Sequence, residues 1–102
     1  MAYRVRILPR AEKDLDAIYK RIRAPLSEPA ARWFDGLVEA VHTLRINPER
    51  CPVTPEDQGF RHLLYGRVPD VYRVIFRILP KRVVIAHIRH GAQRPFTPAD
   101  LN

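Results

Sequence analysis

The spacing of apolar side chains changes period several times along the chain, and each change marks an element. From Ala2 to Leu8 the pattern alternates, with Tyr3, Val5 and Ile7 on one side and Arg4 and Arg6 on the other. Period two predicts a half-buried strand, which Pro9 ends. From Arg10 to about Arg23, Ala11, Leu15, Ile18 and Ile22 recur at steps of four, three and four, the spacing of an amphipathic helix. Its first turn carries Glu12 and Asp14 and its last Lys20, Arg21 and Arg23, which suits the helix dipole; Pro25 stops it. Ser27 then reads as the N-cap of a second helix with Pro29 in its first turn. Ala30, Phe34, Leu37, Val41 and Leu44 continue the helical period, Trp33 and Val38 widen the stripe, and the helix is expected to run to about Ile46, before Asn47-Pro48. Two such helices form an antiparallel hairpin that needs a sheet under its apolar stripe. Cys51 to Gly59 reads as a surface loop, Arg61 to Tyr65 as a short strand and Gly66 to Asp70 as a turn.

Val71 to Arg94 organises the rest. Two runs rich in β-branched and aromatic residues flank Pro80-Lys81, so a β-hairpin is expected. With a loop of two or four residues, position 78 faces 83 and position 76 faces 85. Tyr72, Val74, Phe76 and Ile78 then share the bulky face with Val83, Ile85, His87 and Arg89. Arg73, Ile75 and Arg77 share the other face with Val84, Ala86, Ile88 and His90, so Arg73 and His90 are expected to meet. A one-residue slip would reverse every such assignment. After Gly91, Thr97-Pro98-Ala99-Asp100 resembles the start of a helical turn. The expected order is β-α-α-β-β-β, an α+β fold of one domain spanning 1–102: an N-terminal strand, a helical hairpin and a three-stranded antiparallel sheet.

Composition narrows the class. A length of 102 residues with 46% hydrophobic residues suits one domain with its own core. No apolar run approaches the roughly 20 residues of a membrane span, and MAYRVRI lacks a signal-peptide core, so no membrane partner and a cytoplasmic location are expected. Cys51 is the sole cysteine, which excludes an internal disulfide and fits a reducing compartment. Eighteen basic residues against 11 acidic ones give +7, a balance that favours a polyanionic partner, whether nucleic acid or an acidic protein segment.

The candidate chemistry lies on the sheet face away from the helices, where Arg73, Arg77 and His90 are expected with Arg4 or Arg6, and with Arg94 just beyond. Such a row can hold a nucleic-acid backbone. To cleave RNA it would also need a proton acceptor, a proton donor and charge stabilisation; His90 suits the first or second role, Arg73 and Arg94 the last. A second proton-transfer group is missing, because no Asp or Glu follows Asp70 within the hairpin. His87 and His90 stand on opposite faces of a strand, so no metal is expected, and no cofactor motif is present. Cys51 lacks a defined His partner, and Trp33 and Phe34 read first as packing residues.

YRVRILPRAEKDLDAIYKRI, AARWFDGLVEAVHTLRINPERCP, RHLLYG, YRVIFRI and VVIAHIRHGAQRP, in this order and spacing, resemble the RelE/ParE superfamily of bacterial type II toxins. The resemblance covers nearly the whole chain. It implies a helical hairpin on an antiparallel sheet and one of two activities. Members like RelE cleave messenger RNA in the ribosome, and Arg73, His90 and Arg94 would then be the catalytic group. Members like ParE poison DNA gyrase and need no hydrolytic site. The C-terminal tyrosine of several ribonucleases is absent, with Pro95 and Phe96 nearby instead, and no catalytic glutamate is apparent. The long second helix and the RHGAQRP ending look more like ParE, so a gyrase-poisoning toxin is the reading, a ribosome-dependent endoribonuclease the alternative, and a non-toxic nucleic-acid-binding domain the third. The resemblance also implies an acidic antitoxin, forming a hetero-oligomer, that covers Trp33, Phe34, Leu37 and Arg73.

Overall fold

The computed structural model describes residues 2–101 and contains the expected elements in the expected order: β1 (Arg4–Ile7), α1 (Pro9–Arg21), α2 (Glu28–His42), β2 (Arg61–Arg67), β3 (Asp70–Ile78) and β4 (Arg82–His90). Pro9 does more than end β1. It opens α1, where its missing N–H is one that a first helical turn leaves unpaired anyway. Arg23 takes a left-handed conformation (φ 58°), which turns the chain through a short 3-10 segment, Ala24–Leu26, into the Ser27 cap. Ser27 Oγ accepts a hydrogen bond from Ala30 N at 3.3 Å. The second helix is four residues shorter than expected, because its end tightens into a 3-10 turn over Thr43–Arg45 before Asn47, also left-handed at φ 49°.

The sheet order is β1-β4-β3-β2. It is larger than the three antiparallel strands expected from sequence, since β1 joins the edge of β4 in parallel, from Arg4 opposite Arg82 to Ile7 opposite Ile85. Helical connections make that direction possible, whereas a tight turn would force antiparallel pairing. Leu37, Val41 and Leu44 pack with Ala11 and Ile18 onto Val74, Phe76, Val83, Ile85 and Ile88 to form the core. Leu37 is fully buried, so the expectation that it contacts an antitoxin is corrected: it is a core residue of the helix-sheet interface.

The β3–β4 hairpin begins as expected. Leu79 N donates to Arg82 O at 2.8 Å around Pro80-Lys81, Ile78 faces Val83 and Phe76 faces Ile85. The pairing then slips, with Ile75 opposite His87, Val74 opposite Ile88, Arg73 opposite Arg89 and Tyr72 opposite His90. Ala86 is the extra residue of a β-bulge, and beyond it the faces of β4 exchange. The expected meeting of Arg73 and His90 is therefore wrong. Ile88 joins the core, His90 stacks edge-on against Tyr72 with ring centroids 5.1 Å apart, and His87 and Arg89 turn to the opposite face with Arg73.

Candidate functional site

The face away from the helices is not an open platform. Residues 51–60 and the chain after His90 fold over part of it, with Phe96 buried and its ring 6.3 Å from that of Phe60. Beneath them Arg73 makes three side-chain hydrogen bonds. Its Nη1 and Nη2 donate to Glu56 Oε2 and Oε1 at 2.6 and 2.7 Å, and its Nε donates to His62 Nδ1 at 3.0 Å. The two side chains of the ion pair are only 11% and 8% exposed. Phe96 N adds a third donor to Glu56 at 3.2 Å. These contacts, Arg73 foremost, hold the Glu56 carboxyl at about 2 against burial, so it stays ionised at neutral pH. Burial, helped by the Arg73 charge, pushes His62 below its ordinary value, and its Nδ1 lone pair is already taken. The arginine that a ribonuclease would aim at a phosphate is spent on a carboxylate.

A second buried network runs beside it along β4. Where β1 ends, Asp14 of α1 takes over the strand edge, accepting from Ile88 N at 3.0 Å while its Oδ2 lies 2.6 Å from His87 Nδ1. Arg89 Nη1 approaches His87 Nε2 at 3.3 Å, so Nε2 accepts and the ring proton sits on Nδ1, facing Asp14. Arg89 Nη2 donates to Arg94 O at 2.6 Å, fastening the C-terminal segment. Arg94 pairs with Asp100 through Nη1 and Nη2 at 2.9 and 3.1 Å, and Thr97 N also donates to Asp100 at 2.8 Å. Those contacts hold the Asp100 carboxyl well below the usual carboxylate range and raise Arg94. His90 lies on the other face. Its Nδ1 accepts from Ala92 N at 3.0 Å and its Nε2 points at Asp70 Oδ1, 3.4 Å away.

The three residues expected to form a catalytic group are thus in three settings: Arg73 under Glu56, Arg94 on Asp100, and His90 across the sheet. Sequence reasoning missed Glu56, His62, Asp14 and Asp100. The first lies in a loop 17 positions before its partner, and no local pattern links them. Arg4, Arg6 and Arg77 remain exposed, and no carboxylate of the described residues lies within ion-pair distance of them. Arg77 instead lies over the Phe60 ring at 5.5 Å. Among the described residues no group of three or more His, Cys, Asp and Glu is placed to hold a metal, and no helix is long and apolar enough to cross a membrane.

Of the residues expected under an antitoxin, Phe34 packs edge-on against Tyr19 at 5.0 Å and Trp33 sits between Tyr65 and Tyr72 at 5.2 and 5.5 Å. Gly36 makes this possible, since a Cβ there would strike the Tyr65 hydroxyl, which donates to Trp33 O at 3.0 Å. Two grooves meet at Trp33. One, of about 540 Å³, includes Tyr65, Arg67, Val68 and Pro69. The other, of about 290 Å³, includes Arg21, Ile22, Ala30 and Tyr72.

The chain is thus a small α+β protein, a helical pair on a mixed four-stranded sheet with its strand arginine neutralised from a loop. Residues 5–95 match the family described as ParE toxin of type II toxin-antitoxin system, parDE, and the chain belongs to that family. A solved structure, "Chromosomal ParDE TA system from P. aeruginosa", is similar, with 27% identity, a TM-score of 0.72, and coverage of 87% of this chain and 96% of that one. No curated protein is similar enough in sequence to match.

Proposed function

We propose that this ParE-family toxin arrests growth by binding and poisoning DNA gyrase, without cleaving RNA. The observation that carries the reading is the Arg73–Glu56 pair: a guanidinium held by two carboxylate bonds and a third to His62 has its charge already neutralised and its position fixed away from a phosphorane. Glu56, ionised and fully bonded, is a poor proton donor, and His90 lies across the sheet. Purified toxin should accumulate gyrase-cleaved plasmid and leave ribosome-bound messenger RNA intact; cut messages with unaffected gyrase would overturn the reading.

The partner that silences the toxin is an antitoxin with an acidic, partly apolar segment. The grooves at Trp33 suit it, because they combine aromatic walls with Arg21 and Arg67, two cations against the single carboxylate of Asp70 that lines both. Val68, 87% exposed, provides the test. Val68→Glu should leave folding unchanged and weaken antitoxin binding by about tenfold or more, a loss of roughly 1.4 kcal/mol. Unchanged affinity would place the antitoxin elsewhere.

A further inference from the structure

Four arginines come together at the β1–β4 end of the sheet. Cross-strand partners share a face, so Arg4 stands with Arg82, and Arg6 and Arg77 both stand beside Val84. Val5, Val83, Ile78 and Ile85, which alternate with them, point into the core side. With strands about 4.8 Å apart and same-face neighbours about 7 Å apart along a strand, the four side chains leave a patch of backbone roughly 10 Å wide. All four are exposed. None has a carboxylate of the described residues within ion-pair distance, and Asp57, which lines a groove with Arg77, accepts from Gly59 N at 2.8 Å. Like charges opposite each other on a sheet are destabilising, so Arg4 facing Arg82 opposes folding.

We propose that Arg4, Arg6, Arg77 and Arg82 form a docking surface for the phosphate backbone of duplex DNA. A rigid sheet holds the four guanidiniums at fixed spacing, and duplex DNA presents one negative charge per about 1.7 Å of its axis. The patch presents no exposed aromatic ring for stacking unpaired bases; Phe60, the nearest ring, is half-buried beneath Arg77. Single-stranded recognition relies on such rings, whereas backbone contact to a duplex does not. The patch shares a sheet face with Arg73 but lies at the other end of β3, and it is apart from the Trp33 grooves, so toxin bound to antitoxin at those grooves keeps it free. The choice of DNA over an RNA duplex rests on gyrase as the proposed target, an enzyme whose substrate is DNA.

The test is fluorescence anisotropy with a labelled DNA duplex of mixed sequence, the free toxin and no gyrase, between 50 and 200 mM salt. Neutralising about four phosphates predicts a slope of log affinity against log salt near −3.6, which is about a hundredfold loss over that range. The triple variant Arg4→Ala/Arg6→Ala/Arg82→Ala should flatten the slope to about −1 and weaken binding at 50 mM at least tenfold. Its melting temperature should hold or rise as the facing charges are removed, which guards against a folding artefact. Arg32→Ala, which removes a charge from α2, should leave binding unchanged. The inference is overturned if the duplex fails to bind at 50 mM salt, if the triple variant binds as tightly as the parent, or if single-stranded RNA, an RNA duplex or a polyglutamate peptide of matched charge binds more tightly than the DNA. A gyrase-cleavage assay of the parent toxin run in parallel keeps the two claims separate: a parent that poisons gyrase but does not bind the duplex sinks the docking surface alone, and one that binds the duplex but does not poison gyrase sinks gyrase as target alone.

Discussion

Arg73 and Arg77 stand two pleat repeats apart on β3 and point to the same side of the sheet, yet they live in different chemistry. Arg73 lies under the loop and the C-terminal segment with its guanidinium bonded to Glu56 and His62. Arg77 lies in solvent with the Phe60 ring beneath it. Composition counts both as one positive charge. What differs is where the carboxylates are: Glu56 and Asp100 are drawn to the end that the tail covers, and the β1–β4 end receives none within ion-pair reach. A basic strand therefore divides into a part bonded within the fold and a part left exposed to solvent.

The contrast breaks most severely at Glu56. Glu56→Ala leaves a buried guanidinium without its carboxylate and frees Phe96 N, and should destabilise the protein by about 3–5 kcal/mol in urea denaturation. Next comes acid. Glu56 sits near 2 in the folded chain against an ordinary value of 4.5, so its contribution, of order 3 kcal/mol, is complete above pH 4.5 and disappears as pH falls towards 2. His62 is also lowered, so the folded chain resists its protonation and stability begins to fall once pH drops below 6.5, the same sign in a higher window. Stability measured against pH should therefore decline in two stages, and replacing the pair by Glu56→Leu/Arg73→Met should flatten the lower one. Asp14→Ala, which strips both Ile88 N and His87 of their acceptor, should destabilise by about 1–3 kcal/mol. Arg77→Ala should register only about 0.5 kcal/mol or less, the value of an exposed cation over a ring. An equal loss at Arg77 and Glu56 would erase the distinction.

Much of this was legible in the chain. Apolar steps of three and four located both helices, Ser27 marked the cap of the second, and Pro80-Lys81 gave the hairpin turn and its first three pairs, whereas Asn47 lies beyond the helix end at His42. The bulge at Ala86 was missed, and it moved His90 across the sheet. A signal for it existed: the core members Val83 and Ile85 are followed by Ile88, a step of three where an unbroken strand needs two. The run VVIAHIRH hid that step, because apolar residues occupy both faces of its first half. The parallel joining of β1 was hidden for another reason, since pattern shows that a strand is half-buried and not which neighbour it takes. The Glu56–Arg73 pair had no local sign at all. Long-range ion pairs follow from how a loop folds back, which periodicity does not encode.

The central claim is that Arg73 is structural in a toxin that acts by binding, and the Glu56→Leu/Arg73→Met variant tests it most directly. Replacing a buried ion pair by apolar side chains of similar volume is often neutral or stabilising, so the fold should survive, as a melting curve would show. Induced without antitoxin in growing bacteria, the folded variant should stop thymidine incorporation as early as the parent does, with amino-acid incorporation continuing. A folded variant that no longer arrests growth, or a parent that halts protein synthesis first, would contradict the account and return Arg73 to the working surface of the toxin.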